Sequence, residues 1–150
     1  MQVRPARDDD RRFVLETVKR LCAFGPPPWR TGDEIVEGES RTLRAFFDAP
    51  DPACRLLVAE AEVLLGFAFV EEVQDYFTLV RHGHIGILAV SDAAEGRGAG
   101  RALIHAAEVW SRDRGHRTLT LNVFEGNRHA RDVYEHLGFV PETIKYVKRI

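Results

Sequence analysis

A chain of 150 residues, 45% hydrophobic and 29% charged, has the makeup of one soluble globular domain with a well-filled core. Its net charge of −2, with arginines scattered along the chain, excludes a general nucleic-acid binder. No apolar run reaches the length of a membrane span and no apolar core follows Met1–Pro5, so the expected location is the cytoplasm, without a membrane partner.

Gln2 to Ala6 reads as a first strand. Asp8-Asp9-Asp10 then supplies an N-cap and negative charge for a helix start, and Phe13, Val14, Val18, Leu21 and Cys22 recur at helical spacing. That helix stops at Phe24-Gly25, before a stiff Pro26-Pro27-Pro28-Trp29 loop whose tryptophan either packs or lines a pocket. Thr31-Gly32-Asp33 caps a second helix with Val36, Leu43, Phe46 and Phe47 on its buried face. Arg55–Ala61 and Val63–Val73 form a hairpin, and a loop from Gln74 to Gly83 carries Tyr76, Phe77 and His82. Cys22 and Cys54 lie in apolar surroundings and read as buried free thiols.

Ile85–Val90 is a short β-branched run, a buried strand, leading through Ser91–Glu95 into Gly96-Arg97-Gly98-Ala99-Gly100 and a helical pattern from Arg101. Ala99, Ala102, Leu103, Ala106, Val109 and Trp110 mark that helix's apolar face, and Gly115 ends it. Thr118–Phe124 alternates as a strand, parallel to the preceding one because a helix separates them. Asn127 caps a short helix bearing Ala130, Val133, Tyr134 and Leu137, stopped by Gly138, and Phe139 onward reads as a last strand through Val147. The chain reads as a single 1–150 α/β domain with a mixed sheet.

The glycine cluster lets backbone N–H groups approach an anion at a helix N-terminus, which suits a phosphate. A flexible cap for the helix is the alternative reading. A P-loop is excluded because Arg101-Ala102 stands where Lys-Ser or Lys-Thr is needed. A dinucleotide fingerprint starting at Gly96 would need its third glycine at Arg101. Glu95-Gly96-Arg97-Gly98-Ala99-Gly100 is similar instead to the coenzyme A loop of the GCN5-related N-acetyltransferases (the GNAT family): Arg or Gln, two residues, Gly, one residue, Gly or Ala. Glu95 departs from the usual first residue. The later stretch Asn127-Arg128-His129-Ala130-Arg131-Asp132-Val133-Tyr134-Glu135-His136-Leu137-Gly138-Phe139 resembles that family's Asn, Ala, Tyr and Gly-Phe spacing at every element.

The resemblance implies a central mixed sheet with a splayed parallel strand pair and about four helices. It implies acetyl-CoA as co-substrate, no metal, and acetyl transfer to a primary amine by direct attack in a ternary complex. Leu88, Ala89 and Val90 would hold the pantetheine arm through main-chain groups, as an extra strand would. Arg97, Gly98, Ala99, Gly100, Arg101 and Ala102 would hold the pyrophosphate. Asn127 would bond the coenzyme, Ala130 would leave room for it, and Tyr134 would contact it and protonate the leaving thiolate. An N–H of Ala89 or Val90 would stabilise the oxyanion.

Many relatives carry an acid near Gly86 and Ile87, which this chain lacks. His84, two residues before Gly86 and on its face of the strand, is the candidate base, with Glu72 and Glu125 as weaker candidates. His82 and His84 lack a third metal ligand. The acceptor-binding segments fall at about residues 22–48 and 71–83. Glu71, Glu72, Asp75 and Glu125 offer a negative mouth for a cationic amine. The acceptor is expected to be a small-molecule amine, with a protein N-terminus or lysine as the alternative; a homodimer stays open. Two other classes compete: a coenzyme A-binding module without turnover, and an unrelated nucleotide-binding domain.

Overall fold

The computed structural model describes residues 1–150. Five strands pair in sequence order: β1 (Gln2–Pro5), β2 (Cys54–Glu60), β3 (Leu64–Gln74), β4 (Arg81–Val90) and β5 (Leu119–Leu121). The first four are antiparallel and the last pair, β4 with β5, is parallel. The helices are α1 (Arg11–Thr17, continued by a 3-10 segment over Val18–Ala23), α2 (Gly32–Asp48), α3 (Ala99–Asp113) and α4 (Arg128–His136).

Alternation along the strands splits the core in two. Phe67, Phe69, Ile87 and Ala89 face α1 and α2, where they meet Val14, Val18 and Leu43. Ala68, Val70 and Ile85 face the other way, toward Leu103, Ile104, Ala107 and Trp110 of α3. Each large side chain buried this way contributes roughly 1.5–3 kcal/mol. Gly83 permits the close approach of α3: a Cβ there would overlap the Ser111 hydroxyl and stand 3.1 Å from Leu119 Cδ1.

Local chemistry explains the ends of elements. Thr31 Oγ1 accepts from Glu34 N at 3.1 Å, and Glu34 Oε1 accepts from Thr31 N at 2.9 Å, a reciprocal cap at the start of α2. The acidic run stands at the helix start as expected, but as a 3-10 turn over Asp8–Asp10 with Arg7 at its N-cap, and Asp10 makes no side-chain cap to α1. That last carboxylate turns inward. Asp10 is 4% exposed, accepts from Arg4 Nη1 at 2.7 Å and Nη2 at 3.1 Å, and accepts from Arg7 N at 2.7 Å. Arg4 also donates to Glu60 at 2.7 Å, so one guanidinium ties β1 to the turn and to β2.

Several elements differ from expectation. β4 begins at Arg81, so His82 and Gly83 belong to the strand, where they pair with Val73 and Glu72. The connecting turn is correspondingly short. Asp75 Oδ1 accepts from Phe77 N at 3.0 Å and Thr78 N at 2.7 Å, which fixes it. On α3 the buried stripe is Ala99, Leu103, Ile104, Ala107 and Trp110, with Val109 42% exposed. β5 is only three residues long. The expected last strand does not form: Phe139–Ile150 has no strand pairing, and Val140, Ile144 and Tyr146 are exposed. Alternation alone cannot make a strand without a partner edge, and Pro141 removes one ladder donor. Both cysteines are free and half-buried, and burial pushes the Cys54 thiol up to about 11. No helix is long and apolar enough to cross a membrane.

Candidate functional site

The parallel pair is short. Gly83 pairs with Leu119, His84 with Thr120 and Ile85 with Leu121, and pairing ends there. β4 continues to Val90 against β3 alone. At the divergence the register skips one residue: Phe69 pairs with Ile87 and Val70 with Ile85, leaving Gly86 as an extra, exposed residue. Beyond it, Leu88, Ala89 and Val90 have no strand on their β5 side. Leu88 and Val90 are half-buried and Ala89 is buried in the α1/α2-side core.

The glycine loop lies past the end of β4. Gly96 has φ +73° and Gly98 has φ +78°, conformations that favour glycine, and a Cβ on either would meet nothing within 4 Å. Gly98 precedes α3 with no side-chain cap, and the helical ladder begins with Ala102 N donating to Gly98 O at 3.0 Å. The N–H groups of Ala99, Gly100 and Arg101 are therefore free of helical partners. Arg101 is exposed, and Arg97 pairs with Glu62 at 3.2 Å across the β2–β3 turn. Glu95 is exposed. An open anion cradle of free donors, followed by a strand edge lacking its neighbour, fits a pyrophosphate joined to an amide-bearing arm.

On the far side of the gap, Asn127 Oδ1 accepts from Ala130 N at 3.2 Å, which starts α4, and Ala130 is half-buried. Tyr134 packs against the α3-side core and meets Phe139 edge-on at 6.0 Å between ring centroids. Burial pushes its phenol above the ordinary value. The loop after the first helix closes over this end. Gly25, with φ +65°, sits so near that a Cβ would overlap the Asn127 and Gly126 backbone.

His84 stands at the fork itself. Its neighbours Ile85 and Gly83 point toward α3, so His84 points toward the α1/α2 face. The in-register partners Cys54, Glu71 and Thr120 lie beside it across β2, β3 and β5. Its Nδ1 is 2.7 Å from Thr120 Oγ1. Burial, then His82, holds its pKa below the ordinary histidine value.

The other acidic candidates have separate employment. Glu72 faces α3 and forms ion pairs with Arg114, with Arg81 at 3.8 Å and with His116 at 3.8 Å. Asp75 holds its own turn, and Glu125 is largely exposed, 3.6 Å from Arg131. Glu71 differs: burial raises its pKa, and Glu39 of α2 is raised by burial and then by the Glu71 charge. Thr120 and Glu39 were not foreseen. Thr120 gains meaning only from the β4–β5 register, and Glu39 carries no motif.

Residues 18–139 match the profile of the Acetyltransferase (GNAT) family. The chain belongs to the GNAT family. A mycothiol acetyltransferase of Rhodococcus erythropolis is 32% identical over 118 residues, covering 79% of this chain and 40% of that protein. One from Salinispora tropica is 33% identical, covering 91% of this chain and 42% of that protein. The GNAT chain thus spans about two-fifths of the length of these relatives. A ribosomal-protein-alanine N-acetyltransferase from Brucella melitensis superposes with TM-score 0.71 at 21% identity, over 99% of both chains, and shares the fold.

Proposed function

We propose that this GNAT chain transfers the acetyl group of acetyl-CoA to a primary amine on a small molecule. The observation that carries the reading is the early end of the parallel pair. Main-chain groups of Leu88–Val90 lie beside a gap that an extended amide chain can fill, and the glycine cradle lies at its mouth. The mycothiol acetyltransferases among its relatives support a small acceptor by their names.

The amine, freed of its proton, attacks the thioester carbonyl. The C–N bond forms as the C–S bond breaks, and the thiolate leaves. His84 takes the ammonium proton from the α1/α2 side. Its lowered pKa keeps it neutral, and so able to accept, at pH 7. An N–H of Ala89 or Val90 steadies the oxyanion. Tyr134, on the α3 side, donates toward the thiolate. Glu71 and Glu39 supply negative charge on the acceptor side.

Thermal unfolding with and without acetyl-CoA tests the coenzyme site. At about 100 times its dissociation constant a ligand adds about 2.7 kcal/mol, which for this size raises Tm by roughly 5–10 °C. No shift at millimolar acetyl-CoA would remove the site and the reaction together. Thiol release across polyamines, aminoglycosides and amino sugars then identifies the acceptor. Coenzyme binding with no thiol release would instead favour a binding module.

A further inference from the structure

We infer that Thr120 is a positioning residue that locks the His84 ring with its proton on Nδ1 and so leaves Nε2 as the free proton acceptor. The inference rests on the reading of His84 as the base. Imidazole has two nitrogens, and only the unprotonated one can take a proton. The contacts of Thr120 favour one of them. Thr120 Oγ1 lies 2.7 Å from Nδ1 and 3.5 Å from the Gly83 carbonyl oxygen. That carbonyl can only accept. When the single hydroxyl proton turns to it, the lone pairs of Oγ1 face Nδ1, which must then be the donor.

A second argument comes from the charged product. Once Nε2 has taken a proton, both ring nitrogens carry hydrogen and Nδ1 can only donate. With Nδ1 protonated from the start, the 2.7 Å bond to Thr120 serves both states unchanged. With the other tautomer, the hydroxyl would have to reverse during the reaction. A base that needs no rearrangement of its support is preorganised. The register makes the contact possible: His84 and Thr120 are partners in the next-to-last step before β4 and β5 part, so the ring is anchored beside the opening.

The groups facing the ring enter the same balance. His82 lies two residues back on β4 and works against a charged His84. Glu71 is its partner on β3, and Glu39 of α2 lies near Glu71. Of the 3-10 segment after α1, Lys19 is exposed and Arg20 pairs with Asp92. None of these is placed at Nδ1, so the tautomer is assigned to Thr120.

The tautomer test needs no acceptor. Nitrogen-15 spectra of the ring, assigned by loss of signal in His84→Gln, should show the Nδ1–H form in the native chain. Thr120→Val should shift the neutral ring toward the Nε2–H form and lower its titration midpoint by about half a pH unit, the size of one modest hydrogen bond. Thr120→Ser should restore both. A native ring in the Nε2–H form, or a Val variant with unchanged tautomer and midpoint, would overturn the inference. Thiol release separates this from the base assignment. Undiminished release by His84→Gln would remove the base yet leave the tautomer result standing. Loss in His84→Gln and in Thr120→Val, with recovery in Thr120→Ser, supports both.

Discussion

Tyr134 lies where a phenol is hard to ionise. Its pKa is raised by burial alone, so it keeps its proton across any practical assay range. The same shift makes complete transfer to a thiolate of pKa near 8.5 steeper than the roughly 2 kcal/mol set by an ordinary phenol. In the proposed mechanism its contribution is then a hydrogen bond that strengthens as charge gathers on sulfur. Tyr134→Phe should lower kcat by about 10²-fold, with the KM for acetyl-CoA little changed. Full turnover in a saturated assay would take Tyr134 out of the mechanism. The acid limb of kcat/KM should fall below the ordinary histidine value of about 6.5, because burial disfavours charged His84. A limb at or above that value would point to another base.

Elements were legible in the sequence to the degree that their pattern is local. α2 announced itself by its Thr31–Glu34 cap, and α4 by Asn127 and Gly138. β5 and the C-terminal stretch were overread, since a strand's length depends on what lies beside it. The family was legible through the two spaced motifs, the glycine loop and the Asn127–Phe139 stretch. The support of His84 was not, because Thr120 is 36 residues away and meets it only across the ladder. Gly83 shows how tightly α3 is set against β4. Gly83→Ala should cost about 1–3 kcal/mol by overpacking, read as a lower urea midpoint. A midpoint equal to the native chain's would mean that α3 yields freely.

For the molecule as a whole, acid stability turns on one buried network. The Arg4 guanidinium, with the Arg7 N–H, holds the Asp10 carboxyl below its ordinary range. A depressed carboxyl contributes stability that is full above its unfolded pKa of about 3.9 and is lost as pH falls through its folded pKa. Glu39 and Glu71, raised by burial, have the opposite sign and contribute as pH drops through their folded values toward about 4.3. Tm should therefore fall steeply only below about pH 4, and Asp10→Asn should flatten that fall while lowering Tm at pH 7. An unchanged acid limb in Asp10→Asn would show that other carboxylates govern it.

The meeting of Gly25 with Gly126 and Asn127 has a bearing on how this end of the molecule can be re-engineered. The loop after the first helix and the turn that starts α4 are fitted backbone to backbone. Neither can be exchanged as an independent cassette. A graft that brings any side chain to position 25 pushes on the start of α4, and with it on Tyr134. Substitution is free at the exposed Trp29, while Gly25 and Gly126, in backbone contact, must change together.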